Sequence, residues 1–152
     1  MIKKFFLLVL ILPSLFYAQS ERYPVFDGCK GSEITSIENC FYETTKKHFF
    51  AEFKTPAIVE NEQYKGTANV LFIVTKEGDF EVIYVNTPYQ EIKKEVLRVF
   101  KGFTRISPAK YNNRDVEMQF ELPIKFPVVK NNQEAKAPIK KSFLSSKEDL
   151  SI

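Results

Sequence analysis

Tryptophan is absent, histidine occurs once, and only 5 of the 152 residues are glycine. Catalysis needs converging titratable or nucleophilic groups. A single imidazole, His48, does not supply them and reads as a packing or capping residue on a helix. Metal sites need several His, Cys, Asp or Glu side chains at close spacing, and no such set occurs. Glu60 and Glu62 read as a solvated pair in a loop. The few glycines form no phosphate-cradling loop, and no serine lies in a Gly-x-Ser-x-Gly context. No enzyme, metal site or cofactor is expected.

An excess of one charge is lacking too. The formal net charge is +3, and removing Lys3 and Lys4 leaves 20 basic against 19 acidic residues, or +1. A nucleic-acid partner therefore gets no support. Long apolar runs are missing beyond the first 20 residues. There, Lys3 and Lys4 precede an apolar stretch from Phe5 to Phe16, broken only by Pro13 and Ser14. Small residues follow at Ala18 and Ser20, as signal peptidase requires. Residues 1–20 are expected to be a signal peptide, the mature chain beginning between Gln19 and Glu21 in the periplasm. The alternative is an uncleaved inner-membrane anchor over residues 5–18. A spanning helix needs about 20 apolar residues; this run is shorter and holds a proline.

Cysteine is scarce, and its use is informative. Cys29 and Cys40 are the only two, and in an exported chain such a pair most simply forms a disulfide. A redox-active pair usually needs Cys-x-x-Cys spacing, which is not present. Pro24, Asp27-Gly28 and Gly31 mark residues 21–35 as an N-terminal loop segment. A helix is expected to begin after Thr35 or Ser36, with Ile37, Cys40, Phe41, Thr44 and His48 at helical spacing. It must end before Pro56, and residues 55–65 read as an irregular connection.

The period then changes from helical to two. Ala68, Val70, Phe72 and Val74 form the first strand's apolar face, and Lys76-Glu77-Gly78-Asp79 is a hairpin turn. In the second strand Phe80, Val82 and Tyr84 share one face; Glu81, Ile83 and Val85 share the other. Residues 90–103 place Ile92, Val96, Val99, Phe100 and Phe103 on one helical stripe. After an Asn112-Asn113 turn comes the longest alternation. Val116, Met118, Phe120, Leu122, Ile124 and Phe126 face one way; Glu117, Gln119, Glu121 and Lys125 face the other. Pro123 cannot donate a ladder hydrogen bond, so this strand belongs at a sheet edge.

Helix, hairpin, helix, strand is an α+β order. With the right-handed crossover rule it predicts a two-layer sandwich. Its three-stranded antiparallel sheet, ordered second-first-last, carries two helices on one face, and 15 phenylalanines fill the core. The domain spans 36–127. Residues 128–152 are polar and aperiodic, and read as a disordered tail. The edge strand exposes unpaired backbone groups, which are either guarded by Asp115, Glu117 and Glu121 or used to add a partner's strand.

Several motifs fall in a recognisable order. Pro56 is followed ten residues later by Gly66, then by the alternation from Ala68 to Val74 and the Lys76-Glu77-Gly78 turn. Glu95 and Arg98 lie on the helix, Pro108-Ala109 in the loop, and Leu122-Pro123-Ile124-Lys125-Phe126 closes the strand. In this stretch the chain resembles the C-terminal domain of TonB-type energy transducers, particularly those of the Bacteroidota. Tyr23-Pro-Val-Phe-Asp-Gly-Cys29 with Cys40 is similar to the segment preceding that domain. Thr55 stands where the family has tyrosine, Val59 where it has alanine, and Asn112-Asn113 where it has glycine.

The resemblance implies a protein partner: an extended peptide of an outer-membrane receptor or secretion component. It would add to the last strand at Glu117, Met118, Gln119, Phe120 and Glu121. Transducers of this family also carry an anchor and a long proline-rich linker. Here Gln19 to Ser36 spans about 60 Å at most when extended. A short transducer for TonB-dependent transport, membrane-bound only if residues 5–18 are retained, is the alternative. A homodimer pairing through the edge strand is another.

Overall fold

A computed structural model describes residues 21–31, 34–128 and 140–141. The expected signal peptide, residues 1–20, lies outside the described residues, as does most of the expected tail. The described chain is α+β: two antiparallel sheets and three α-helices.

Helix α1 (Ile34–Glu52) forms because Phe41, Thr45 and Phe49, with Phe53 just beyond its end, recur every four residues. All four are essentially inaccessible to solvent, so the buried stripe is narrower than the expected one. His48 falls off it and is exposed. Its ring instead lies parallel to Phe26, 5.8 Å between centroids. Residues 55–65 are not irregular throughout, because they contain the short helix α2 (Ala57–Asn61). Pro56 fixes the backbone ahead of it, and its carbonyl accepts from Val59 N–H at 3.0 Å. Val59 then anchors that turn in the core.

Strands β2 (Gly66–Val74) and β3 (Phe80–Asn86) form the expected hairpin. At its turn Gly78 has φ +87°, and a Cβ there would sit 1.8 Å from the Ile106 carbonyl oxygen. Glycine is needed both for the left-handed backbone and for this close approach. The oxygen of Gly78 accepts from Ile106 N–H at 3.1 Å, and Asp79 takes two hydrogen bonds from Arg105 at 2.9 and 2.7 Å.

The β3 alternation does not persist. Leu71 pairs with Tyr84 but Phe72 pairs with Val82, leaving Ile83 as a bulge. Phe80, Val82 and Val85 turn toward the core, while Ile83 and Tyr84 are exposed at 55% and 57%. Tyr84 therefore does not share a face with Phe80 and Val82, because the inserted residue resets the period.

Helix α3 (Gln90–Lys101) buries Ile92, Val96, Val99 and Phe100. Glu91 in its first turn and Arg98 and Lys101 in its last suit the helix dipole. The chain then makes a small three-stranded sheet. Strands β1 (Glu21–Arg22), β4 (Ala109–Tyr111) and β5 (Arg114–Val116) lie in the order β1-β4-β5. Asn112 and Asn113, both at positive φ, turn β4 into β5. The N-terminal segment is thus not a detached loop. It pairs through β1, bridges Val25 to Ser107, and sends Phe26 and Cys29 into the core.

The long final alternation divides at Glu117. Val116 ends β5, and β6 (Met118–Phe126) begins in the main sheet. β6 pairs with β2 over nine residues, from Met118 with Val74 to Phe126 with Gly66. The main sheet runs β3-β2-β6-β7, where β7 is Lys140–Lys141. The expected strand order holds, but the sheet has four strands, and part of the expected tail forms the fourth.

Candidate strand-addition site

The sides of β6 can be assigned from two independent features. In an antiparallel ladder each residue directs both N–H and C=O to one side, and successive residues alternate. Pro123 pairs with Asn69 of β2 but has no N–H, so it suits a position facing away from β2. Thr75 N–H, just past β2, donates to Asp79 O at 2.9 Å, on the β3 side. Counting back through the regular β2, even-numbered residues face β6 and pair with its even-numbered residues. Gln119, Glu121, Pro123 and Lys125 carry the outward-facing backbone groups, and three of these four have an N–H.

The five expected contact residues are therefore not equivalent. Glu117 is exposed and lies at the junction between β5 and β6, outside the ladder. Met118 and Phe120 turn their side chains inward and are buried. Gln119 is also buried, on the opposite face, paired across the sheet with Ile73. That face is not a simple solvent face. Glu121 is half-buried opposite Leu71.

The expected open edge is partly occupied. β7 pairs antiparallel with β6, Phe120 opposite Lys141 and Glu121 opposite Lys140. Cross-strand partners share a face, so the Lys141 side chain lies on the inward side, next to Phe120. There its amine forms an ion pair with Glu21 and sits 6.0 Å from the centre of the Tyr23 ring. Its side chain is only 18% exposed.

Tyr23 is held from behind. Its ring meets Tyr42 edge-on at 5.9 Å and Phe120 at 6.3 Å, and Tyr42 meets Phe120 at 6.2 Å. Burial raises the Tyr23 pKa, with the Glu38 and Glu21 carboxylates adding to the rise. Burial also pushes Tyr42 well above the ordinary phenol value. Both rings are neutral at physiological pH, beside two carboxylates: a cradle suited to a cation. No motif or periodicity points to it, because Glu21 and Tyr23 fall in a segment read as loop and Lys141 in one read as disordered. Only the fold brings them to the Phe120 register.

The sheet's other outer strand, β3, is less suited to strand addition, because its bulge breaks the ladder at Ile83. Cys29 and Cys40 lie at disulfide distance with Cα atoms 5.9 Å apart. They border a cavity of about 330 Å³ lined also by Phe26, Thr44, His48 and Arg105. Thr44 Oγ1 contacts both sulfurs at 3.7 and 3.9 Å, and Arg105 is committed to Asp79. Among the described residues no group of three His, Cys, Asp or Glu side chains is placed to hold a metal ion. No helix among them is long and apolar enough to cross a membrane. No protein-family model, curated protein or solved structure matches the chain.

Proposed function

We propose that this chain is a periplasmic, non-catalytic protein-binding module of TonB C-terminal type. It captures an extended segment of an outer-membrane receptor or secretion component as an added strand along β6. The observation that carries this proposal is β7: β6 takes a further antiparallel strand on its outer side, at Phe120–Glu121, from the chain itself. Main-chain hydrogen bonds would supply affinity, and alternate side chains specificity.

The motif order from Pro56 to Phe126 and the export-type leader support the same assignment. So does the packing of both long helices on one set of sheet residues, as a two-layer domain would require. Phe41 meets Phe120 at 4.6 Å, Phe100 meets Phe72 at 4.9 Å, and Phe53 meets Phe126 at 6.2 Å.

The test is affinity capture from native outer-membrane extract with full-length protein, identified by mass spectrometry. Glu121→Pro, which removes an outward N–H, should lose the specific partner. Capture of the same proteins at the same yield by the folded variant would overturn strand addition at β6.

A further inference from the structure

Strand addition along β6 leaves open what distinguishes one extended segment from another, since backbone pairing is indifferent to sequence. Side chains of the added strand alternate between faces. At the Phe120 register the inward-facing one enters a built environment rather than solvent. Glu21 reaches that point from β1, and Tyr23 presents a ring face beside it. Tyr42 and Phe120 fix the tilt of that ring from behind. Glu38 adds a second carboxylate next to the two phenols. The side chains that bring charge to the Tyr23 phenol, Glu38 and Glu21, are both carboxylates. The occupant is a lysine, with four-fifths of its side chain covered.

We propose that Glu21 and Tyr23 form a lysine-reading subsite, and that the segment captured on β6 carries a basic side chain opposite Phe120. The chain's own Lys141 holds the subsite in the absence of a partner, so the tail and the partner segment compete for one position. This inference rests on strand addition at β6 and goes beyond it by fixing the chemistry of one partner residue. An aliphatic or acidic side chain in that register would leave Glu21 unpaired or repelled beside an apolar ring. A lysine restores the ion pair and the cation–π contact together, and lays its methylene stem along the aromatic surface.

The test uses the full-length chain with its tail disabled at both points, Lys140→Pro with Lys141→Met. The proline removes the N–H that would bond Glu121, and the methionine removes the amine. Two fluorescein-labelled octapeptides serve as probes in an anisotropy titration. One has the sequence of residues 137–144; the other has methionine in place of its Lys141. The lysine peptide should bind the variant about tenfold more tightly than the methionine peptide, as one ion pair plus one cation–π contact imply. Adding Glu21→Gln should bring the two peptides to near-equal affinity. The wild-type chain should bind the lysine peptide at least tenfold more weakly than the tail-disabled chain, because the tethered tail competes at high effective concentration. Equal binding of both peptides by the tail-disabled chain would overturn the subsite and leave strand addition standing. Binding of neither would overturn both.

Discussion

Thr45 is buried in the aromatic core, and its Oγ1 has no hydrogen-bond partner. A buried hydroxyl without a partner costs about 1–3 kcal/mol in lost hydration. Valine keeps the branched shape and a similar helix propensity while removing the polar atom. Thr45→Val should therefore raise stability by about 1 kcal/mol, read as a higher urea midpoint with unchanged slope. A lower midpoint would mean that the hydroxyl is satisfied after all. The helical spacing read from the sequence ran through Phe41, Thr44 and His48, so past Phe41 it is one position out of phase with the buried Thr45 and Phe49. Several apolar residues around the helix made two stripes look alike, and only packing against Phe120 and Phe100 selects between them. Gly78 shows the opposite case. Its place in a four-residue turn made the positive φ legible, but not the second constraint, the approach of Ile106 from 28 residues away.

At the scale of elements, periodicity located the three long strands and two long helices, but missed the short strands β1 and β4 and interruptions of a single residue. A bulge at Ile83 and a break at Glu117 each leave the apolar pattern almost unchanged while altering which strand or sheet follows. Helix α2 was hidden by being one turn long. Glu95 and Arg98, noted only as a motif match, join two helices. Glu95 accepts the Lys54 N–H at 2.8 Å and two bonds from Arg98, while Arg98 donates to the Glu52 carbonyl at 2.7 Å. The end of α1 is thereby capped by α3. Hydrogen bonding from Arg98, then from the Lys54 amide, outweighs burial and holds the Glu95 carboxyl below its ordinary 4.5. A pKa lowered by folding stabilises the native state above the unfolded value, and that stabilisation is lost as pH falls through the folded value. Glu95→Gln should cost about 1–2 kcal/mol at pH 7. The gap between variant and wild type in urea midpoint should narrow as pH drops below 4.5. A gap independent of pH would show that the carboxylate charge contributes nothing to the cap.

For the whole molecule, the chain order and the position of Pro123 made the β3-β2-β6 sheet legible in advance. The fourth strand was not legible, because a two-residue pairing with Lys140–Lys141 leaves no periodic trace. Which side of β6 is available follows from the alternation of its backbone groups. Odd-numbered residues face outward and even-numbered ones face β2, so proline substitutions at adjacent positions should differ sharply. Alanine at the same positions controls for the lost side chain. Relative to Glu121→Ala, Glu121→Pro sacrifices only the short pairing with β7 and should cost no more than about 1 kcal/mol. Relative to Leu122→Ala, Leu122→Pro removes a central ladder bond and should cost about 3 kcal/mol or prevent folding. Urea denaturation followed by circular dichroism measures both differences. If Glu121→Pro were the more damaging of the two, the outward residues would be Phe120, Leu122 and Ile124. Pro123 would then leave an unpaired acceptor inside the sheet, and strand addition at Gln119 and Glu121 would have no donor to use.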